Sequence, residues 1–332
     1  MTSYLESLQG ALRDAFAADE RVVLLGEDVL DPYGGAFKVT KGLSTAFPDR
    51  VLTTPISEGA ITGVAAGLAL RGMRPVVEIM FGDFLTLCAD QIVNHIAKFR
   101  GMYNDRVRTP LVIRTPMGGG RGYGATHSQS LEKLFLGVPG IKVVAPSHAH
   151  DPGRLLRHAV LADEDPVLFI EHKLLYPLPL GGGERLSITL VEEIPGYPTA
   201  LVANFAHGEP DVTVIAYGGA ARHLLAVMAA LRDEEVNVLA ALPASLKPTP
   251  LATLADAAAR SGRVVIAEEG SEGFNWGSEI AALLYERLWN RLARPIARLA
   301  SAASVIPCAK QEEDRLLLNG ETIEAAILEA IE

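Results

Sequence analysis

From residue 21 onward the chain alternates short, almost unbroken apolar runs with stretches in which apolar residues recur every three or four positions. The runs RVVLLGEDV (21–29), VLTTPISE (51–58), PVVEIM (75–80), LVIRTP (111–116), IKVVAPS (141–147) and PVLFIEH (166–172) predict buried strands with polar or glycine-containing tips. Between them AITGVAAGLALRG, LTLCADQIVNHIAKFR, SLEKLFLG and DPGRLLRHAVLAD predict helices. Ahead of all these, Ser3 and Glu6 have the spacing of a capping box, and an amphipathic helix is expected to run from there to about Asp19. Strands that alternate with helices predict a mostly parallel sheet covered by helices on both faces.

The rhythm fails between Leu178 and about Pro210, where a GGG triplet, scattered prolines and weak periodicity predict a long linker with one short hairpin. It resumes with VTVIAYGG (212–219), a helix to about Glu235, VNVLAAL (236–242), a helix near 251–261, RVVIAEEG (263–270), a helix from about Ser278, IARLAS (296–301) and a last helix ending at Ile331. The expected division is an α/β domain over 1–185, a linker over 186–210 and a smaller α/β domain over 211–332. Open parallel sheets bind ligands beyond the carboxyl ends of their strands. The tips that matter are therefore Glu27–Asp28, Ser57–Glu58, Met80–Phe84, the loop from Thr115 to Ser130, and Glu268–Glu269.

Composition narrows the chemistry. With 49 % apolar and 21 % charged residues this is an ordinary globular chain, and its 332 residues suffice for two cores. A formal charge of −10 with no concentrated basic patch argues against a nucleic-acid surface. Cys88 and Cys308 are far apart and in no metal-like or redox spacing, and Cys88 reads as a buried small hydrophobe. The apolar stretch Ile61–Met80 is broken by Arg71, Gly72, Arg74 and Pro75, so it reads as a helix followed by a strand and no membrane span is expected. MTSYLESLQG lacks the form of a secretory signal, and a cytoplasmic location is the expectation.

Two segments stand out chemically. Glu58 ends a strand and opens a helix, with Gly59, Gly63 and Gly67 following on one face. Such a carboxylate is favoured by the helix dipole alone, but small neighbours also allow a second helix to approach and desolvate it, which raises its pKa. The loop MGGGRGYGATHSQS (117–130) carries five glycines before His127, Ser128 and Gln129. Glycines permit left-handed backbone and close approach to a ligand. A histidine there either caps the next helix or exchanges protons near neutral pH. Phe81 and Phe84 beyond the third strand are either core or a stacking surface for a flat ring. A P-loop, a GxGxxG fingerprint, a GxSxG elbow, an HExxH motif and clustered Cys/His ligands are all missing from the sequence.

Taken together, LLGEDV, YGGAFKVTKGL, TPISEGAITGVAAGLAL, RPVVEIMFGDF, ADQIVNHIAKFR, PLVIRTPMGGGRGYGATHSQSLE, PGIKVVAPS and DPVLFIEHKLLY resemble the beta subunit of thiamine-diphosphate-dependent 2-oxo-acid dehydrogenases. The resemblance is specific over residues 21–176 and looser beyond 210. It implies a pyrimidine-binding domain followed by a transketolase C-terminal-like domain, two such chains joined to two alpha-type chains, and thiamine diphosphate at each alpha–beta interface. Magnesium is expected on the alpha-type chain, whose GDG…N motif this chain lacks, and a potassium ion near Asp163 occurs in some members.

Carried over by position, Glu58 matches the glutamate that hydrogen-bonds the aminopyrimidine ring, and Phe84 matches an aromatic residue beside it. His127 matches the histidine implicated in substrate handling and acyl transfer. Glu27, Met80 and Gln129 are further site candidates. The resemblance implies decarboxylation of a 2-oxo acid and transfer of its acyl group to a lipoyl domain. ALPASLKPTP (241–250) and SAASVIPCAKQEED (301–314) depart from the family pattern. These departures raise a second expectation: a transketolase-type hybrid that moves a two-carbon glycolyl unit from a ketose phosphate to a lipoyl or acyl-carrier-protein thiol. A non-catalytic scaffold subunit, the third reading, is opposed by the presence of both Glu58 and His127.

Overall fold

The protein is described by a computed structural model over residues 2–183 and 185–332. Its chain divides into two compact units. The first runs to Met117 and includes Leu134–Val144 and Asp151–Pro179; the second comprises Gly118–Lys133, Ala145–His150 and Leu180–Glu332.

The first unit is built on β1 (Val22–Gly26), β2 (Val51–Thr53), β3 (Arg74–Glu78), β4 (Val112–Met117), β5 (Lys142–Val144) and β6 (Val167–His172). These strands lie in the order β5-β6-β4-β3-β1-β2, and every pairing among them is parallel. β1, β3, β4 and β6 are buried at every position, which is why they read as continuous apolar runs and not as alternating ones. Helix α1 (Tyr4–Ala18) starts as expected: Glu6 N donates to Ser3 Oγ at 3.2 Å and Ser3 N donates to the Glu6 carboxylate at 2.8 Å. α1 packs on α6 (Pro152–Leu161), where a Cβ on Gly153 would stand 2.2 Å from the Ser7 carbonyl oxygen, so a larger residue would force the helices apart.

Helix α3 (Glu58–Leu70) follows β2. The helical pattern read over 85–100 resolves into a 3₁₀ turn at Gly82–Cys88, a π-helical turn at Gln91–Ile96 and the short helix α4 (Phe99–Met102). Two other short helices are α2 (Leu43–Ala46) and α5 (Lys133–Leu136).

The second unit contains β7 (Ser187–Val191), β8 (Thr199–Ala203), β9 (Val212–Ala216), β10 (Val238–Pro243), β11 (Ser245–Lys247), β12 (Val264–Ser271) and β13 (Ala297–Ser301). Its six-stranded sheet has the order β13-β12-β9-β10-β8-β7. β13, β12, β9 and β10 are parallel, whereas β8 pairs antiparallel with β10 and β7 antiparallel with β8. The hairpin expected within 186–210 is thus β7–β8, and it extends this sheet where a linker was expected. β7 is largely exposed, so its sequence lacks the apolar run of a buried strand.

Helices α7 (Ala220–Leu231), α8 (Leu251–Ser261), α9 (Trp276–Leu288), α10 (Lys310–Leu316) and α11 (Gly320–Ile331) complete the unit. Val214, Ala240, Val265, Leu224, Met228, Ile323 and Ile327 form its core between the sheet, α7 and α11. Among the described residues no helix is long and apolar enough to cross a membrane.

Candidate functional site

In the first unit the expected residues gather at the carboxyl ends of β1, β2 and β3. Glu58 is the first residue of α3 and is 5 % exposed. Ser57 precedes it as N-cap without a side-chain hydrogen bond, leaving the helix start open to a carboxylate. Glu27, one residue past β1, lies close enough to feel that carboxylate. Burial holds the Glu27 carboxyl above its ordinary range, and the charge of Glu58 adds to the effect. Among the described residues, Glu27 Oε1 is buried without a hydrogen-bond partner. A buried oxygen of that kind calls for a donor from outside the chain.

Cys88 lies in the same neighbourhood. Its thiol is pushed up to about 11, first by burial and further by Glu58, so it is a packing residue. Gly59 approaches the turn at 82–88, where its Cβ would stand 3.3 Å from the Leu87 carbonyl oxygen. A Cβ on Gly63 would reach only Gln91 Cγ, at 3.9 Å, and one on Gly67 would meet nothing within 4 Å, so the close approach expected beside Glu58 is tightest at Gly59.

Met80 and Phe84 are half-buried beyond β3, at the edge of the same group. Phe84 meets Phe81 edge-on at 5.8 Å between ring centroids, Phe81 meets Phe37 at 5.7 Å, and Phe37 stacks on Tyr176 at 5.4 Å. Gly82 keeps this turn against β4, since a Cβ there would stand 2.3 Å from Met117 Cγ. The aromatic row therefore offers a partly open edge, as a flat ring requires.

Beneath it is a network that periodicity did not reveal. Arg114 Nε and Nη2 donate to the two oxygens of Glu171 at 2.8 and 2.6 Å, Arg114 Nη1 donates to Glu78, and Tyr176 Oη donates to Glu171 at 2.6 Å. All four side chains are buried. A charge in the middle of an apolar strand, as in LVIRTP, was the available signal.

Near Asp163 the Lys142 ammonium is already paired with the carboxylate. The Arg74 guanidinium donates to the carbonyl oxygens of Val160 and Asp163 at 2.6 and 2.5 Å. Two side-chain cations thus serve the groups that a potassium ion would need, and the residues present do not fit that ion. Among the described residues no group of three or more His, Cys, Asp and Glu is arranged to hold a metal.

His127 and Gln129 belong to the second unit. Gly118, Gly120, Gly122 and Gly124 all have positive φ, between 71° and 90°, and Gly118 N donates to the Gln129 carbonyl at 3.4 Å, closing the loop. His127 is half-buried and its Nδ1 lies 3.0 Å from Thr126 Oγ1. The next helix starts only at Lys133, so His127 does not cap it.

A cavity of about 590 Å³ adjoins the loop, lined among others by Ser128, Gln129, Glu269, Ser301 and Leu317. Ser128 Oγ is buried there without a hydrogen-bond partner among the described residues. Of the two tip carboxylates on β12, Glu268 accepts from Gly277 N at 2.8 Å and so caps α9, whereas Glu269 accepts from Gly119 N at 2.8 Å.

Residues 1–179 match the family model for the transketolase pyrimidine binding domain, and residues 202–323 match that for the transketolase C-terminal domain. The chain is 36 % identical to the 2-oxoisovalerate dehydrogenase subunit beta of Bacillus subtilis (strain 168), over 99 % of this chain and 98 % of that protein. It is 34 % identical to the acetoin:2,6-dichlorophenolindophenol oxidoreductase subunit beta of Cupriavidus necator, with 96 % and 94 % covered. It is 35 % identical to the pyruvate dehydrogenase E1 component subunit beta of Leifsonia xyli subsp. xyli, with 93 % and 88 % covered. Among solved structures, a split gene transketolase described as an inactive beta4 tetramer aligns with TM-score 0.71 and 22 % identity, covering 99 % of this chain and 98 % of that one. That likeness supports the two-domain transketolase fold expected from the sequence.

Proposed function

Since the chain belongs to the transketolase-like family of 2-oxo-acid dehydrogenase beta subunits, we propose that it acts with an alpha-type partner to decarboxylate a 2-oxo acid and pass the acyl group to a lipoyl group. The observation that carries this reading is the buried Glu58 at the head of α3, with the unpartnered Glu27 oxygen beside it. A ring bearing both a basic nitrogen and an amino group is the kind of ligand such a pair can hold.

When bound, thiamine diphosphate supplies the carbon nucleophile and the electron sink that carbon–carbon cleavage beside a carbonyl needs. Glu58 would hold a proton at the pyrimidine ring nitrogen. Glu27, its carboxyl raised by burial and by Glu58, would meet the ring from the same side. Met80 and Phe84, half-buried beyond β3, would flank the ring and exclude water. His127 and Gln129 serve the acceptor side, where an imidazole can hand a proton to the sulfur leaving a dithiolane. Magnesium and the diphosphate are assigned to the alpha-type chain, in an alpha2beta2 assembly, and potassium has no part in the reading.

The test is co-expression with an alpha-type chain, followed by mass spectrometry of a lipoyl domain incubated with thiamine diphosphate, magnesium and a single donor. An acyl adduct from a 2-oxo acid, with carbon dioxide released, supports the proposal. A glycolyl adduct formed solely from a ketose phosphate would replace it with the two-carbon transferase.

A further inference from the structure

The loop that carries His127 contains its own answer to a physical problem. Four glycines with positive φ cost backbone entropy and leave their amides turned away from any ladder. Two of those amides, Gly120 and Gly122, and that of the neighbouring Gly119 are read by carboxylates from distant parts of the second unit. Glu313, on α10 and fully buried, accepts from Gly120 N through Oε1 at 2.9 Å and from Gly122 N through Oε2 at 2.7 Å. Glu269 accepts from Gly119 N at 2.8 Å. Three amides within four residues are thus held by two carboxylates, a concave anion-binding backbone whose anion is built into the protein.

The fit leaves no room. A Cβ on Gly119 would stand 2.5 Å from Leu317 Cδ1, one on Gly122 3.1 Å from the Cys308 carbonyl oxygen, and one on Gly124 2.4 Å from Cys308 Sγ. Cys308 and Glu313 both lie in the SAASVIPCAKQEED segment that departs from the family pattern.

We propose that Glu313, seconded by Glu269, is the positioning residue that fixes the His127 loop for acyl transfer, an inference that rests on the role assigned to His127 above. Its carboxylate touches no reacting atom. It acts by setting the backbone from Gly119 to Gly122, five residues before the imidazole. Hydrogen bonds to a charged acceptor are stronger than neutral ones, and losing one of a pair releases the loop without emptying the site.

The experiment uses the full chain co-purified with its alpha-type partner and compares the parent with Glu313→Gln, Glu313→Asp and Gly122→Ala. Glutamine can accept from one glycine amide but presents its own N–H groups to the other. Amide hydrogen exchange across 118–127 is expected to rise about tenfold in Glu313→Gln, with exchange in β9 and β12 unchanged. Turnover with lipoamide as acceptor is expected to fall by a similar factor, while KM for the 2-oxo acid stays within about twofold. Glu313→Asp should recover part of both effects, and Gly122→Ala, which strains the loop from its own side, should reproduce them. Unchanged exchange in all three variants would overturn the proposal, as would faster exchange with full lipoamide turnover. Should the parent itself fail to acylate lipoamide, the functional reading falls, while the exchange comparison still decides whether Glu313 holds the loop.

Discussion

At the scale of single residues, identity alone rarely fixes a role; the neighbours do. Glu58 is one of several carboxylates at strand tips, and burial at a helix start beside Glu27 sets it apart. Glu58→Ala is expected to reduce turnover by at least about a thousandfold, with assembly intact by size-exclusion chromatography; substantial residual activity would remove Glu58 from the reaction.

Glu268 gives a different kind of prediction. Burial pushes its carboxyl up to about 7, the Glu132 carboxylate pushes in the same direction, and Tyr217 Oη bridges the two at 2.6 Å to Glu132 and 3.2 Å to Glu268. Because the folded value lies above the unfolded one, the stabilisation is complete below about pH 4.5 and is lost as pH rises through about 7. The loss should approach about 3 kcal/mol. Denaturant unfolding between pH 5 and 8 should show this decline, and Glu268→Gln should flatten most of it. The sequence marked Glu268 and Glu269 as polar tips but could not separate their roles. One caps α9 and the other holds Gly119, a difference set by which amide each meets in space.

At the scale of elements, the sequence was most legible where burial was complete. β1, β3, β4 and β6 appeared as largely apolar runs because both faces of each are buried. The charged Arg114 within β4 ties three strands together through Glu78 on β3 and Glu171 on β6. Arg114→Met should therefore cost on the order of 3–5 kcal/mol in denaturant unfolding, because it leaves two carboxylates buried without their cation. Replacing all three charges by apolar residues of similar volume should cost far less. β7–β8 was harder to place, since exposed β7 alternates weakly and the GGG before it resembles a linker. The residues after Phe84 show helical spacing, yet the backbone tightens and then loosens through 3₁₀ and π turns. Apolar spacing does not distinguish these from an α-helix over so short a stretch.

At the scale of the whole molecule, a single chain leaves apolar surface where the proposed function requires a partner. Ile56, Val64 and Leu87 are 82 %, 55 % and 61 % exposed around α3, whose outer face also carries Gly63 and Gly67. Scattered exposed apolar residues are common, but here they flank the helix that begins with Glu58. Val64→Glu is expected to leave the thermal unfolding of the isolated chain nearly unchanged and to reduce recovery of the alpha-type chain in co-purification; full recovery would place the partner elsewhere.

The family and two-domain order were legible from motifs within the first 176 residues, whereas the Glu313 contact was not, because it joins positions 193 apart with no pattern linking them. That separation also has a consequence in time. At synthesis rates of roughly 5–20 residues per second, about 10–40 s pass between emergence of Gly120 from the ribosome and arrival of Glu313. Throughout that interval Gly120 and Gly122 lack their carboxylate, so a nascent chain can build its first sheet while the His127 loop stays without this contact until the last helices are being made.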